Sequence, residues 1–75
     1  MLDKVIKFFE KEYEETKKYL EEGGPILMTR EEYIKATKYS CLGVAFFAQE
    51  IGIEFEDVNP HYEAIREKLE KLLDN

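Results

Sequence analysis

The sequence predicts an all-α fold, a small antiparallel three-helix bundle that forms a single helical domain over residues 1–75. Three segments carry apolar residues at spacings of three and four, which is the period of a helix with one buried face. Glycine and proline separate these segments, and strand-like alternation occurs only in the short passage 53–56. We therefore expect helices over residues 2–22, 30–51 and 60–73.

The first helix is predicted from one continuous apolar face. Its members recur every three or four residues and are Leu2, Val5, Ile6, Phe9, Tyr13, Thr16 and Leu20. Gly23 occupies the position of a left-handed C-terminal cap, and Gly24-Pro25 prevents the helix from continuing. The first helix is expected to end near Glu22.

The second helix has two independent start signals. Thr29 and Glu32 have the spacing of a capping box, in which each side chain binds the backbone amide of the other residue. Met28 and Tyr33 flank this box at the positions of a hydrophobic staple. Gly52 is expected to end the helix, because glycine adopts the left-handed conformation of a C-terminal cap.

The third helix is predicted to begin at Asn59-Pro60, since Asn is a strong N-cap and proline is favoured at the first helical position. Residues 53–56 then form a linker that is pinned to the core through Ile53 and Phe55. The apolar stripe of this helix consists of Val58, Tyr62, Ile65, Leu69, Leu72 and Leu73. Short connections favour an antiparallel hairpin of the first two helices, with the shorter third helix packed across it.

The second helix carries more apolar surface than one buried face requires. Residues 39–48 contain no charge, although Asp, Glu, Lys and Arg make up 37% of the chain. One face is predicted to meet the core and consists of Tyr33, Thr37, Ser40, Val44, Phe47, Ala48 and Ile51. Tyr39, Leu42 and Phe46 form a second stripe roughly opposite, with Gly43 beside them, and Phe8 and Tyr19 of the first helix are expected to extend it.

Two explanations of this second stripe are open. A contiguous apolar stripe on a small protein is typical of an association surface, and a self-complementary contact is the commonest way in which soluble chains oligomerise. Alternatively, the connecting segments cover it, since residues 26–28, Ile53 and Phe55 are apolar. We favour a homodimer with Tyr39, Leu42, Gly43 and Phe46 at the contact.

Composition excludes several classes of partner. The net charge of −6 and the pI of about 4.8 argue against binding to nucleic acid or to anionic membrane surfaces. No apolar run approaches the ~20 residues of a membrane span, and the charged N-terminus does not resemble a secretory signal. Because a single cysteine cannot form an internal disulfide, we expect a reduced, cytoplasmic protein.

Cys41 and His61 are unique in the chain, so they are the obvious nucleophile and base of a hypothetical enzyme. Apolar neighbours of Cys41 would raise the pKa of its thiol, and the first turn of a helix disfavours protonated histidine at position 61. One cysteine and one histidine also cannot form a structural zinc site. We therefore expect no enzyme activity, no metal and no cofactor.

The sequence thus favours a non-enzymatic protein–protein interaction module. The alternative is an acidic regulatory or inhibitor protein that docks on a basic partner, in the manner of a nucleic-acid mimic. Its anchors would be surface carboxylates such as those of Glu10, Glu14, Glu15, Glu21 and Glu22.

Overall fold

The computed structural model describes residues 1–74. It is the predicted all-α three-helix bundle, without strands in that range. Helix α1 spans Leu2–Glu21, α2 spans Arg30–Glu50 and α3 spans Phe55–Lys71, followed by a short 3-10 helix over Leu72–Asp74. The molecule measures 38 × 18 × 17 Å. Because a 20-residue helix is about 30 Å long, these dimensions place α3 alongside the α1–α2 hairpin and not across it.

The predicted glycine caps end the first two helices. Gly23 has a φ of 99° and Gly52 a φ of 103°, both in the left-handed region. After Gly52 the chain folds back, and the Ile53 amide donates to the Ala48 carbonyl at 2.9 Å. This bond satisfies a carbonyl in the last turn of α2. Both helices end within one residue of the predicted positions.

The predicted capping box starts α2. The backbone amide of Glu32 donates to the Thr29 hydroxyl at 3.0 Å, and the Thr29 amide donates to the Glu32 carboxylate at 2.9 Å. These bonds hold the pKa of the Glu32 carboxyl below its ordinary value, because they favour its ionised form.

The predicted start of α3 was wrong, since the helix begins at Phe55, before Asn59-Pro60. Glu54 is the N-cap residue, and its carbonyl accepts the first backbone bonds at 3.0 and 3.2 Å. Pro60 therefore lies in the second turn, where its missing amide leaves the Glu56 carbonyl without a helical donor. Glu56 is exposed, so water can satisfy that carbonyl and the helix tolerates the proline.

The predicted faces of α1 and α3 lie against the core. Val5, Phe9, Thr16 and Leu20 of α1 are buried, and the α3 stripe is buried or half-buried up to Leu72. The last predicted member, Leu73, is exposed.

The predicted core face of α2 was partly wrong. Of its seven members, Thr37 and Ala48 are buried, and Tyr33 and Val44 are half-buried against the core. Ser40, Phe47 and Ile51 are exposed. The buried face is rotated by about one residue and consists of Ile34, Thr37, Cys41, Ala45 and Ala48. Except for Ile34, the side chains on this line are small, which favours close approach of α2 to α1 and α3.

A pair of threonines joins α1 to α2 inside the core. The Thr37 hydroxyl donates to the Tyr33 carbonyl at 3.2 Å, and its oxygen lies 3.4 Å from the hydroxyl oxygen of Thr16. Since Thr37 uses its one proton on Tyr33, Thr16 is the donor between the two threonines. Both hydroxyls are thereby satisfied without water.

Candidate functional site

The side of α2 that faces away from the bundle carries three exposed aromatic side chains. We call it the outer face of α2 and define it by exposed residues at helical spacing: Ala36, Tyr39, Ser40, Gly43, Phe46, Phe47 and Glu50. Three aromatic residues on it are more than half exposed, with Tyr39 at 61%, Phe46 at 58% and Phe47 at 64%. Single exposed apolar residues are ordinary, but three rings on one helix face form a patch.

Three of the four predicted contact residues lie on this face. Tyr39, Gly43 and Phe46 are exposed, and Leu42 is half-buried. Phe47, which the periodicity assigned to the core, lies on the outer face instead. The sequence signal for the buried side of α2 is a line of small residues, Thr37, Cys41, Ala45 and Ala48, which lies opposite the outer face. Small residues on one side of a helix indicate the side on which other helices pack closely.

The connecting segments do not cover the outer face. Ile26 and Leu27 in the α1–α2 loop are themselves 89% and 95% exposed. Phe55, the first residue of α3, is 54% exposed. Neither connection therefore removes the aromatic patch from water within a single chain.

Gly43 has no packing role inside its own chain. A Cβ atom built on it would meet nothing within 4 Å, and its φ is not positive. Glycine in a helix interior costs about 1 kcal/mol relative to alanine. Nothing within the bundle offsets that cost, and the bare backbone permits close approach by another helix.

An apolar groove continues the outer face toward α1. It has a volume of about 180 Å³, and its lining includes Met1, Phe8, Val44, Phe47 and Ile51. Phe8 thus adjoins Phe47, and not the predicted stripe of Tyr39, Leu42 and Phe46.

Tyr19 lies elsewhere, at the α1–α2 loop end of the bundle. Its ring centroid is 5.0 Å from that of Tyr33, and the ring covers Gly24 so closely that a Cβ there would clash. The expectation that Tyr19 extends the patch was wrong, because this residue packs within the loop region.

Opposite charges lie toward the two ends of the outer face. The Lys35 ammonium lies 5.9 Å from the ring centroid of Tyr39 and is therefore close to the aromatic patch. Glu50 lies near the C-terminal end of α2. Neither residue forms an ion pair within residues 1–74.

Cys41 and His61 face different surroundings. The Cys41 thiol is fully buried, and burial, with a smaller contribution from the Glu12 charge, raises its pKa to about 11. His61 lines a groove between α1 and α3, beside Glu10 and Lys68. At neutral pH the thiol is protonated and inaccessible, which is the opposite of what a nucleophile requires.

A shallow groove of about 370 Å³ lies between α2 and α3, with Lys35, Lys38, Tyr39, Tyr62 and Arg66 in its lining. Two of its cations are already paired, since Lys38 contacts Glu70 at 3.2 Å and Arg66 contacts Glu63.

Within residues 1–74, no three His, Cys, Asp or Glu side chains come together in a way that would hold a metal ion. None of the helices in that range combines the length and apolar composition that a bilayer crossing requires.

The carboxylates of the acidic alternative are all exposed on α1 or just after it. Lysines interrupt them: Lys11 lies 3.9 Å from Glu15, and Lys18 lies among the other acids. The acidic charge on α1 therefore does not form a continuous surface of one sign.

No protein-family model matches the chain, and neither the curated proteins nor the solved structures yield a match.

Proposed function

We propose that this protein is a non-enzymatic interaction module that self-associates as a homodimer through the outer face of α2. One observation carries the proposal: Tyr39, Phe46 and Phe47 are all more than half exposed on one face of one helix. Leu42 and Gly43 complete the contact, the first at its edge and the second at its centre.

The gain from covering these rings is comparable to the cost of association. Full burial of a Phe side chain gains about 1.5–3 kcal/mol, so three rings that are 58–64% exposed would gain roughly 3–5 kcal/mol per copy. A symmetric pair gains twice that amount, and association costs about 4–15 kcal/mol. With the largest gain and the smallest cost, the net gain is about 6 kcal/mol, which corresponds to a reversible dimer with a Kd of about 40 μM.

The test is sedimentation equilibrium over a wide range of protein concentration, with matched variants. The wild-type mass should rise from 8.9 kDa toward twice that value with increasing concentration. Phe46→Glu should remain monomeric, because a carboxylate at the contact loses its hydration. The control is Phe55→Glu, which alters a ring of similar exposure at the start of α3 and should associate like wild type.

Circular dichroism must show unchanged helicity in both variants. Salt then separates the proposal from the acidic alternative, because an apolar contact survives high ionic strength and a charge-driven one weakens. A wild-type chain that stays monomeric at several hundred micromolar would refute the homodimer.

A further inference from the structure

We propose that the two copies cross antiparallel, about a two-fold axis beside the Leu42–Gly43 peptide bond. Tyr39 of each copy then meets Phe46 of the other, and Lys35 of each copy meets Glu50 of the other. The inference rests on the proposed homodimer and specifies the direction and register of the two α2 helices.

The spacing of residues along α2 supplies the first argument. Tyr39 and Phe46 are equally far from the Leu42–Gly43 bond, at about 5 Å along the helix axis. Lys35 and Glu50 are also equally far from it, at about 11 Å. One register therefore places both the aromatic pair and the charge pair opposite each other.

Close approach at the axis supplies the second argument. Gly43 lies next to the axis, and the space where its side chain would be is empty. Phe47 faces the region between Ala36 and Ser40 of the other copy, and these small exposed residues leave room for its ring. Phe47 of each copy thus meets small residues of the other, which close helix packing favours.

Charge favours the antiparallel arrangement over the parallel one. With the helices parallel and in register, Lys35 would face Lys35 and Glu50 would face Glu50, and both contacts are repulsive. The antiparallel register converts them into two attractive pairs. Both charges are available for this purpose, since neither forms an ion pair within residues 1–74.

Cross-linking with a short bis-maleimide tests the register. Lys35→Cys and Glu50→Cys are prepared as separate proteins and treated alone and as an equimolar mixture. Only the mixture should give a covalent dimer above background, by at least tenfold, because two copies of position 35 lie about 22 Å apart in the antiparallel pair. The wild-type chain measures the background from the buried Cys41.

Sedimentation equilibrium on the same proteins separates the two levels of the proposal. A dimer in which Lys35→Cys or Glu50→Cys cross-links to itself would overturn the antiparallel register and leave the homodimer intact. If the mixture of the two variants is dimeric but gives no cross-link above background, the antiparallel register is likewise overturned. Monomeric protein at all concentrations would overturn both the homodimer and its register.

Charge reversal provides a second readout that does not depend on a reagent. Glu50→Lys should weaken the dimer about three- to tenfold, because each attractive pair becomes repulsive. Adding Lys35→Glu should restore wild-type affinity, since opposite charges face each other again. In a parallel dimer Glu50→Lys would change little, as one like-charge pair replaces another, and that result would overturn the register.

Discussion

A typical amphipathic helix buries its large apolar side chains, whereas α2 carries its aromatic rings on the exposed face. The inner face is lined mainly by small residues, such as Thr37, Cys41, Ala45 and Ala48, and the outer face bears three aromatic rings. Hydrophobicity alone would place the rings inside. The comparison indicates that burial of α2 depends on the space that its neighbours leave, which is filled mainly by small side chains and Ile34.

The other two helices explain why the space is small. Large residues on α1 and α3 already fill the centre, where the rings of Phe9 and Tyr62 meet edge to face at 6.5 Å, with Ile65 and Leu69 also in the core. A helix that joins such a layer gains most from close approach. Tyr39, Phe46 and Phe47 of α2 therefore lie on the side that faces away from α1 and α3.

The same substitution on both faces should separate them most clearly. Ala45→Leu adds bulk to the filled core and should lower the free energy of unfolding by about 1–3 kcal/mol. Ala36→Leu, on the outer face, should change it by less than about 0.5 kcal/mol. Urea denaturation at low protein concentration measures both values. Equal losses would show that the inner face is not closely packed.

The threonine pair tests the polar part of the inner face. Thr37→Val should cost about 1–2 kcal/mol, because it leaves the buried Thr16 hydroxyl without its acceptor. Thr16→Val should cost less, since Thr37 still donates to Tyr33. The double variant should regain part of the loss, and a double-mutant cycle measures that coupling. Strictly additive losses would contradict the hydrogen bond.

High pH should weaken the inner face through Cys41. Its pKa is about 11 in the folded chain and about 9 in the unfolded one, so folding favours the protonated thiol. This contribution is complete below pH 9 and is lost as the pH rises toward 11, with a loss of about 1 kcal/mol at pH 10. Unfolding of wild type and of Cys41→Ala should be compared at pH 7 and pH 10. A constant difference between them would contradict burial of the thiol.

The smallest expected effect concerns Gly43 and has opposite signs for folding and association. Gly43→Ala should raise the stability of the monomer by about 0.5–1 kcal/mol, because its Cβ meets empty space in an ordinary helical conformation. It should also weaken the dimer by separating the helices at their crossing. Gly52→Ala is the contrast, since its φ of 103° makes that substitution destabilising. Unaltered association of Gly43→Ala would place the contact elsewhere.

Much of the fold could be predicted because its signals are local. Gly23, Gly52 and the Thr29–Glu32 box act through backbone groups within a few residues, so they end or start helices wherever the chain folds. The Asn59-Pro60 signal failed because a second start was available after Gly52, and an exposed proline in the second turn is tolerated.

The candidate site was predicted in part, since Tyr39, Gly43 and Phe46 do lie on the outer face and Phe47 was misplaced. Periodicity could not orient α2, because apolar residues occur on both of its sides and either rotation buries some of them. Residue size was the informative property, and it has meaning only once the facing helices are known.

By itself, the sequence determined the number of helices, most of their ends and the buried stripes of α1 and α3. These follow from hydrogen bonds and periodicity within each segment. Only the tertiary structure decided which side of α2 faces inward and where α3 begins. Those outcomes depend on how much room the neighbouring helices leave, and no single segment contains that information.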